Sequence, residues 1–332
     1  MHPEPTCDIA LPRYGQSASW IRYKALLAER FALRVEREPE ELAITVRGHR
    51  LHVDRWRPTG TVTRPPDGAG TRPAGTVILV HGAGGHGRIL APLCEFIATL
   101  GWEALAPDLP GYGLTRPAAD FGWDYAEWPA VVAELARKCD GPVVLLGMSV
   151  GGLTAVHAAL QARHVAGVIA TTLLDMSDRA SFLAAARWRW LAAASLLGFR
   201  LLPAAVDRIA LPLRWAAPMR AMSGDAPMSA YFARDELLGG RRVPARMYRT
   251  MHAYRSDSIQ LQCPLLVLHP GADAWTPTAL SRWTFDRVKG EKRFRELTNG
   301  SHLPAEQPAQ DELRQEVAGF LDAIQRLRKA AA

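Results

Sequence analysis

Residues 143–152 read VVLLGMSVGG, and this stretch is the strongest indication of the fold in the sequence. Four apolar residues lead into Gly147, and Ser149 then stands between Gly147 and Gly151, with a stretch of small, helix-forming residues behind it. A sharp turn from a strand into a helix needs glycine or a similarly small residue two positions before and two positions after its apex, because a β-carbon there would clash. The segment therefore predicts a buried strand, a strained turn with Ser149 at its apex, and a helix.

Short apolar runs separated by helical stretches extend on both sides of this turn. Each run is nearly continuous rather than alternating: TVILV at 76–80, EALAP at 103–107, GVIATTLL at 167–174 and PLLVLH at 264–269. Strands of this kind are typically parallel and covered on both faces by the helices between them. The predicted fold class is therefore α/β, with a doubly wound and mostly parallel sheet.

The rhythm of strands and helices divides the chain into four predicted parts. Residues 1–38 form an N-terminal helical arm, and residues 39–175 form the first part of the core. Residues 176–258 are rich in Ala, Leu, Arg and Trp and contain no strand-like run, so we expect a helical cap inserted into the core. Residues 259–332 complete the core.

Several elements outside the strand–helix repeat are also predicted. Residues 17–33 favour a helix with Ile21, Leu26, Leu27 and Phe31 clustered on one side. Residues 41–57 alternate around Gly48 as a hairpin does, and residues 58–75 are typical of a surface loop. A terminal helix is expected over 307–329, with an apolar stripe that comprises Leu313, Val317, Phe320, Leu321 and Ile324.

Composition and charge exclude several classes of protein. The 332 residues are 48% apolar and 22% charged, which is ordinary for a globular protein. The net charge of +7 is spread along the chain, so we expect no nucleic-acid partner. The four cysteines form no CxxC pair and no HExxH motif is present, so neither a metal nor a cofactor is expected. The first residues do not resemble a secretory signal, which favours a cytoplasmic location.

A serine at such a turn is inert without a neighbouring base, and the base needs an acid to orient it. In this kind of sheet the three groups follow the chain order serine, acid, histidine. Asp273 lies in HPGADAWTP, after one strand-like run, and His302 lies in TNGSHLP, after the next. Because active sites assemble at the carboxyl ends of parallel strands, we predict that Ser149, Asp273 and His302 converge. Asp175, after an earlier strand, is the alternative acid.

Five short motifs carry a family resemblance: VHGAGG at 80–85, DLPGYG at 108–113, GMSVG at 147–151, GADAWTP at 271–277 and GSH at 300–302. In this order, the motifs resemble those of the α/β-hydrolase superfamily, specifically its lid-bearing serine esterases, lipases and monoglyceride-lipase-like members. The resemblance runs from Glu41 to the C-terminus and leaves out the arm and the detailed sequence of the insertion. It implies Ser149 as the nucleophile, His302 as general base and then general acid, and Asp273 as the orienting carboxylate.

Backbone N–H groups typically stabilise the negative charge that develops on the substrate oxygen during acyl transfer. We expect Val150, directly after the serine, to supply one donor, and the resemblance points to Ala83 for the other. His81 is expected to shape the loop around Ala83 through hydrogen bonds. Asp108 is excluded as the acid because it precedes the serine in the chain.

The predicted function is a serine hydrolase that cleaves small-molecule carboxylic esters with an apolar acyl or alcohol group. The same triad also serves thioesters, lactones, carbon–carbon cleavage and perhydrolysis, and this fold also occurs in ligand-binding proteins without turnover. The apolar cap residues line an acyl pocket, form the core of the cap, or do both on different faces; they are Trp188, Trp190, Leu196, Leu197 and Phe199. The composition of the cap also permits peripheral contact with a membrane or lipid surface, and the sequence leaves the oligomeric state open.

Overall fold

A computed structural model describes residues 11–15, 17–59, 73–255 and 259–331. The sheet strands are β1 Glu40–Val46, β2 His49–Trp56, β3 Thr76–Val80, β4 Glu103–Pro107, β5 Val143–Gly147, β6 Val165–Ala170, β10 Leu265–His269 and β12 Lys292–Glu296. The short strands are β7 Ala210–Pro212, β8 Arg242–Pro244, β9 Ile259–Gln260 and β11 Val288–Lys289. Most of the loop predicted over 58–75 lies outside the described residues.

The central sheet has eight strands in the order β1-β2-β4-β3-β5-β6-β10-β12. β2 pairs with β1 and with β4 in antiparallel fashion, whereas β4, β3, β5, β6, β10 and β12 form a continuous parallel series. Every residue of β3, β5 and β10 is buried, which explains why these strands are apolar throughout rather than alternating. The predicted α/β class with a mostly parallel sheet is confirmed.

Helices flank this sheet. The α-helices are α1 Ala18–Phe31, α2 Ala91–Thr99, α3 Glu127–Arg137, α4 Val150–Gln161, α5 Arg179–Ala185, α6 Arg189–Leu201, α7 Pro203–Val206, α8 Leu213–Ala216, α9 Ala226–Arg234, α10 Ala245–Ala253, α11 Thr278–Arg287 and α12 Ala309–Ala331. Helix α2 contacts α12, and α3 packs on α4, so two groups of helices pack against the strands. The predicted apolar stripe of α12 is buried, as expected.

The hairpin predicted around Gly48 is present as β1 and β2. Arg47 and Gly48 connect the two strands, and both have positive φ angles, 50° and 77°. Two-residue turns of this kind match the twist of the flanking strands. The hairpin therefore extends the parallel sheet with an antiparallel edge.

The arm helix α1 begins where the sequence predicted, and part of its predicted apolar cluster is buried. The Ser17 side chain accepts a hydrogen bond from the Trp20 N–H and caps the helix. The buried residues are Trp20, Tyr23, Leu26 and Leu27, and Ile21 is 55% exposed. Leu26 and Leu27 of the predicted cluster are thus buried, whereas Ile21 is exposed, and Trp20 and Tyr23 join the core beside them.

The insertion between β6 and β10 contains helices α5 to α10, a 3-10 helix at Met219–Met222 and one small sheet. Strands β7 and β8 pair in antiparallel fashion and have three residues each. The expectation of an insertion without strands is therefore wrong, and strands this short show no alternation that a sequence pattern could detect. The division of the chain at residues 38, 175 and 258 remains a prediction.

Candidate active site

Ser149 occupies a strained turn between β5 and α4. Its backbone has φ 56° and ψ −132°, a conformation that a residue with a side chain rarely adopts. A β-carbon on Gly147 would lie 2.0 Å from the carbonyl oxygen of Gly151, and one on Gly151 would lie 2.3 Å from that of Val80. Backbone atoms cannot move away cheaply, so both positions require glycine. The geometry agrees with the steric reason for the G-x-S-x-G spacing.

The three residues predicted to converge form one continuous hydrogen-bonded chain. The Oγ of Ser149 lies 2.7 Å from Nε2 of His302, and Nδ1 of His302 lies 2.8 Å from Oδ2 of Asp273. An ionised carboxylate can only accept, so Nδ1 carries the proton and Nε2 is free to accept from the serine hydroxyl. The side chains of His302 and Asp273 are each 1% exposed. The chain thus brings together residues that lie 153 and 29 positions apart.

Asp273 is held as a charged group. Its Oδ1 accepts from the backbone N–H groups of Trp275 (2.8 Å) and Thr276 (3.0 Å), and its Oδ2 accepts from the Thr276 hydroxyl (2.6 Å). Burial raises the pKa of Asp273, but His302 and the Thr276 hydrogen bonds outweigh burial and lower this pKa to about 2. The carboxylate is therefore ionised at neutral pH.

The alternative acid, Asp175, has other partners. Its Oδ1 accepts from the backbone N–H and the hydroxyl of Ser177, at 2.9 and 2.7 Å, and its Oδ2 lies 3.7 Å from Arg287. In the described part of the chain, the structure gives Asp175 no hydrogen bond to His302. Of the two candidate acids, Asp273 is the one in contact with the imidazole.

Sequence reasoning missed two neighbours of the three hydrogen-bonded residues, Trp275 and Thr276. The ring of Trp275 lies 4.6 Å from that of His302, and its indole N–H donates to the carbonyl oxygen of Ala185 at the end of α5. Thr276 supplies two of the hydrogen bonds to Asp273 described above. The signal was present in the segment DAWT, because an aspartate commonly accepts from backbone N–H groups two and three positions later.

His269 is hydrogen-bonded to the backbone of Thr276. The Ser281 hydroxyl lies 3.0 Å from Nδ1 of His269, and Nε2 of His269 lies 3.1 Å from the carbonyl oxygen of Thr276. Since a carbonyl oxygen only accepts, Nε2 donates to it and Nδ1 accepts from the serine. Burial lowers the pKa of His269, which favours this neutral form. His269 therefore positions the loop that carries Asp273, and its ring nitrogens are bonded to Ser281 and Thr276 and not to Ser149.

The two predicted N–H donors lie beside Ser149. Residues 82–88, which we call the oxyanion loop after its predicted role, approach the serine so closely that a β-carbon on Gly82 would lie 2.7 Å from the Ser149 β-carbon. Ala83 and Val150 both line the cavity next to the Ser149 side chain. Within the described residues, neither of their N–H groups donates a hydrogen bond to the protein. Both donors are therefore available to a ligand.

A largely apolar cavity of about 370 Å³ lies against Ser149. Most of its wall comes from the insertion, and of the five predicted apolar cap residues, Trp188 and Phe199 line it. Leu196 packs against the core, while Trp190 and Leu197 are 71% and 59% exposed. A small ligand with an apolar group would therefore bury that group next to the serine.

Several known proteins are similar to this chain. A model described as Alpha/beta hydrolase family matches residues 77–312. Lipase LipV of Mycobacterium tuberculosis is 38% identical over 125 residues, which span 38% of this chain and 41% of that protein. The pimeloyl-[acyl-carrier protein] methyl ester esterase of Chromobacterium violaceum is 29% identical over 251 residues, which span 72% of this chain and 91% of the esterase.

A solved structure shows the same fold. The monoglyceride lipase from Saccharomyces cerevisiae superimposes with a TM-score of 0.67 at 16% identity, over 88% of this chain and 97% of that one. Together with the family match, this likeness confirms the predicted fold. None of the described helices is both long and apolar enough to cross a bilayer.

Proposed function

Because the chain belongs to the alpha/beta hydrolase family, we propose that it is a serine hydrolase that cleaves carboxylic esters through an acyl-enzyme intermediate. The observation that carries this proposal is the unbroken chain of hydrogen bonds from Ser149 through His302 to Asp273. A buried, ionised carboxylate behind a histidine–serine pair stabilises the positive charge that the histidine gains when it takes the serine proton.

The mechanism follows from the positions of these groups. Ser149 Oγ attacks the ester carbonyl while Nε2 of His302 takes its proton, and Asp273 stabilises the resulting imidazolium. The carbonyl oxygen becomes an oxyanion that the N–H groups of Ala83 and Val150 can bind. When the carbon–oxygen bond of the ester breaks, His302 returns the proton to the departing alcohol. Water then attacks the acyl group, and the same histidine accepts and returns a proton to release the acid and regenerate Ser149.

The cavity supports an ester with an apolar acyl or alcohol group as the substrate. Its volume lies in the range typical of small-molecule sites, and side chains such as Trp188, Phe199 and Trp275 form its walls. Apolar surface gains about 25 cal/mol per Å² when it leaves water. A longer acyl chain should therefore bind more tightly until the cavity is full.

A series of p-nitrophenyl esters of increasing acyl length tests this proposal. We expect kcat/KM to rise with chain length and then to level off, and Ser149→Ala to abolish turnover. Ser19→Ala, which removes a hydroxyl from the arm, serves as the control and should keep wild-type rates. Equal rates for Ser149→Ala and wild type would reject the nucleophile, and binding of the esters without turnover would favour a ligand-binding protein.

We also propose that helix α6 contacts an anionic phospholipid surface. Trp190, Leu197 and Leu201 lie at positions i, i+7 and i+11, so they share one helix face, and each is more than half exposed. Arg189 and Arg200, also exposed, flank this face. Exposed aromatic and aliphatic side chains bordered by arginines are typical of helices that lie in a membrane interface.

Vesicle sedimentation tests this contact. The protein should sediment with phosphatidylglycerol-containing vesicles, and Trp190→Ser with Leu197→Ser should weaken that binding by about tenfold or more, because both side chains lose apolar burial. Trp283→Ser is the matched control, since Trp283 is also exposed, at 42%, but lies on α11, outside the insertion. Equal binding by the double variant and wild type would refute the contact.

A further inference from the structure

The arm is fixed to the core by a buried polar cluster next to the oxyanion loop. The backbone N–H groups of Tyr14 and Gly15 donate to the two carboxylate oxygens of Glu41, at 2.8 and 3.0 Å. The Tyr14 hydroxyl donates to Oδ2 of Asp108 at 2.8 Å, and Tyr14 is 1% exposed. These contacts join residues up to 94 positions apart. The arm lies outside residues 77–312, so the family match does not account for them.

Asp108 connects this cluster to the far end of the oxyanion loop. The Gly87 N–H donates to Oδ1 of Asp108 at 2.6 Å, and a β-carbon on Gly87 would lie 2.2 Å from the carbonyl oxygen of Ala106. The ring of Tyr14 stacks on that of His86 at 4.8 Å. Among the described residues, neither ring nitrogen of His86 has a hydrogen-bond partner, so ring packing holds His86 in place.

The end of the oxyanion loop that lies beside Ser149 is held by Leu109, the residue that follows Asp108 in the chain. The Leu109 N–H donates to Nε2 of His81 at 2.9 Å, so Nδ1 of His81 carries the proton and donates to the carbonyl oxygen of Gly82 at 2.8 Å. This oxygen belongs to the same planar peptide group as the Ala83 N–H. Fixing the oxygen therefore fixes the direction in which the Ala83 donor points.

Arg88 adds a positive charge to this cluster of carboxylates. Its guanidinium binds both oxygens of Asp54, at 2.6 and 2.7 Å, and lies 5.0 Å from the centre of the Tyr14 ring. Glu41, His52 and Asp54 bring possible metal-ligand atoms within 4.8 Å of one another. Because Arg88 is 3.1 Å from Glu41 and is bonded to Asp54, it already supplies the cation that these carboxylates need.

We propose that Tyr14 is a positioning residue for ester hydrolysis: through its hydrogen bond to Asp108 and its stacking on His86, it holds the oxyanion loop so that the Ala83 N–H faces the developing oxyanion. This inference rests on the proposed function. Without the hydroxyl, Asp108 can turn toward its remaining partners, and the Gly87 end of the loop gains freedom. The donor at Ala83 would then be displaced from its best position, and this would weaken binding of the transition state more than binding of the substrate.

Tyr14→Phe tests the proposal, since it removes one oxygen and keeps the ring. We expect kcat to fall by about tenfold, a fraction of the 10²–10³ lost when an oxyanion donor is deleted, while KM changes less than about twofold. The inhibition constant for a long-chain trifluoromethyl ketone, whose adduct with Ser149 places an oxyanion at this site, should rise by a similar factor.

Tyr23→Phe is the matched control. Its hydroxyl is also buried on the arm, but it donates to the carbonyl oxygen of Ile89, outside the oxyanion loop, at 2.9 Å. Thermal unfolding should show similar small losses of stability for both variants, and only Tyr14→Phe should lose kcat. Wild-type kcat in Tyr14→Phe, or equal losses in both variants, would overturn the proposal. A wild-type protein that turns over no ester would instead refute the proposed function, and this inference with it.

Discussion

Replacing Asp273 with asparagine should disable the triad without disturbing the fold, because of the way its two oxygens are bonded. Oδ1 accepts from two backbone N–H groups, so the asparagine oxygen must occupy that place, since its NH₂ would face two donors there. The NH₂ group then faces Nδ1 of His302. An NH₂ group only donates, so Nδ1 must give up its proton and the proton moves to Nε2, the atom that has to accept from Ser149.

The size of the effect follows from the move of the His302 proton from Nδ1 to Nε2. The favoured form of His302 can no longer act as a base, and the imidazolium loses the charge of a carboxylate whose oxygen lies 2.8 Å away. Losses of about 10⁴ in kcat, equal to about 5.5 kcal/mol, are known for this kind of substitution in serine proteases. Asp273 is not among the residues that line the cavity, so KM should change little.

The assay is steady-state hydrolysis of one p-nitrophenyl ester by wild type, Asp273→Asn and Asp175→Asn. Asp175→Asn is the matched control, because it makes the same chemical change at the carboxylate that bonds Ser177 instead of His302. We expect a loss of about three to four orders of magnitude for the first variant and less than about tenfold for the second. The assignment of the acid would be refuted if Asp175→Asn lost more activity than Asp273→Asn. It would also be refuted if Asp273→Asn kept more than a tenth of the wild-type kcat.

Three further predictions concern stability. Gly147→Ala should unfold at a much lower urea concentration than wild type, because its β-carbon would lie 2.0 Å from a backbone carbonyl oxygen. Gly319→Ala lies in helix α12, where the added β-carbon would meet no atom within 4 Å beyond its own helix backbone, so it should instead stabilise the protein by about 0.5–1 kcal/mol. The opposite order of stabilities would contradict this packing. Burial lowers the pKa of His52, but Asp108 and Glu41 outweigh burial and raise this pKa to about 10. The protonated form thus stabilises the fold fully below a pH of about 6.5, and this contribution should be lost as pH rises through 10. The urea concentration at the unfolding midpoint should therefore fall less steeply with rising pH in His52→Gln than in wild type. An identical fall in both proteins would argue against the ion pairs of His52 with Asp108 and Glu41.

The sequence was sufficient to predict the parts of the site that local rules control. Glycine spacing around Ser149 reflects a steric requirement within five residues, and the positions of Asp273 and His302 follow from the rule that loops at the carboxyl ends of parallel strands meet. These rules do not depend on knowing any distant contact. The geometry places all three side chains in one hydrogen-bonded chain.

Other parts depend on contacts that no local pattern shows. Tyr14 lies 94 positions from Asp108, and nothing around Tyr14 in the sequence indicates that it is bonded to a residue beside the oxyanion loop. The predicted cluster of Ile21 with Leu26 and Leu27 on α1 did not include Trp20 and Tyr23, because hydrophobicity alone does not show that these two residues can bury large surfaces and still satisfy their polar atoms. Tertiary packing determines which of these residues are buried and which distant residues they contact.

Covalent labelling tests the central claim, that Ser149 is an activated nucleophile, most directly. The protein would be treated with an alkyl fluorophosphonate, digested, and analysed by mass spectrometry to locate the modified residue. We predict modification at Ser149 and none at Ser195, the other serine that lines the cavity, whose hydroxyl bonds only the carbonyl oxygen of Ala192 among the described residues. His302→Ala should slow the labelling by orders of magnitude. Modification at another residue, or an unmodified protein after prolonged exposure, would contradict the account.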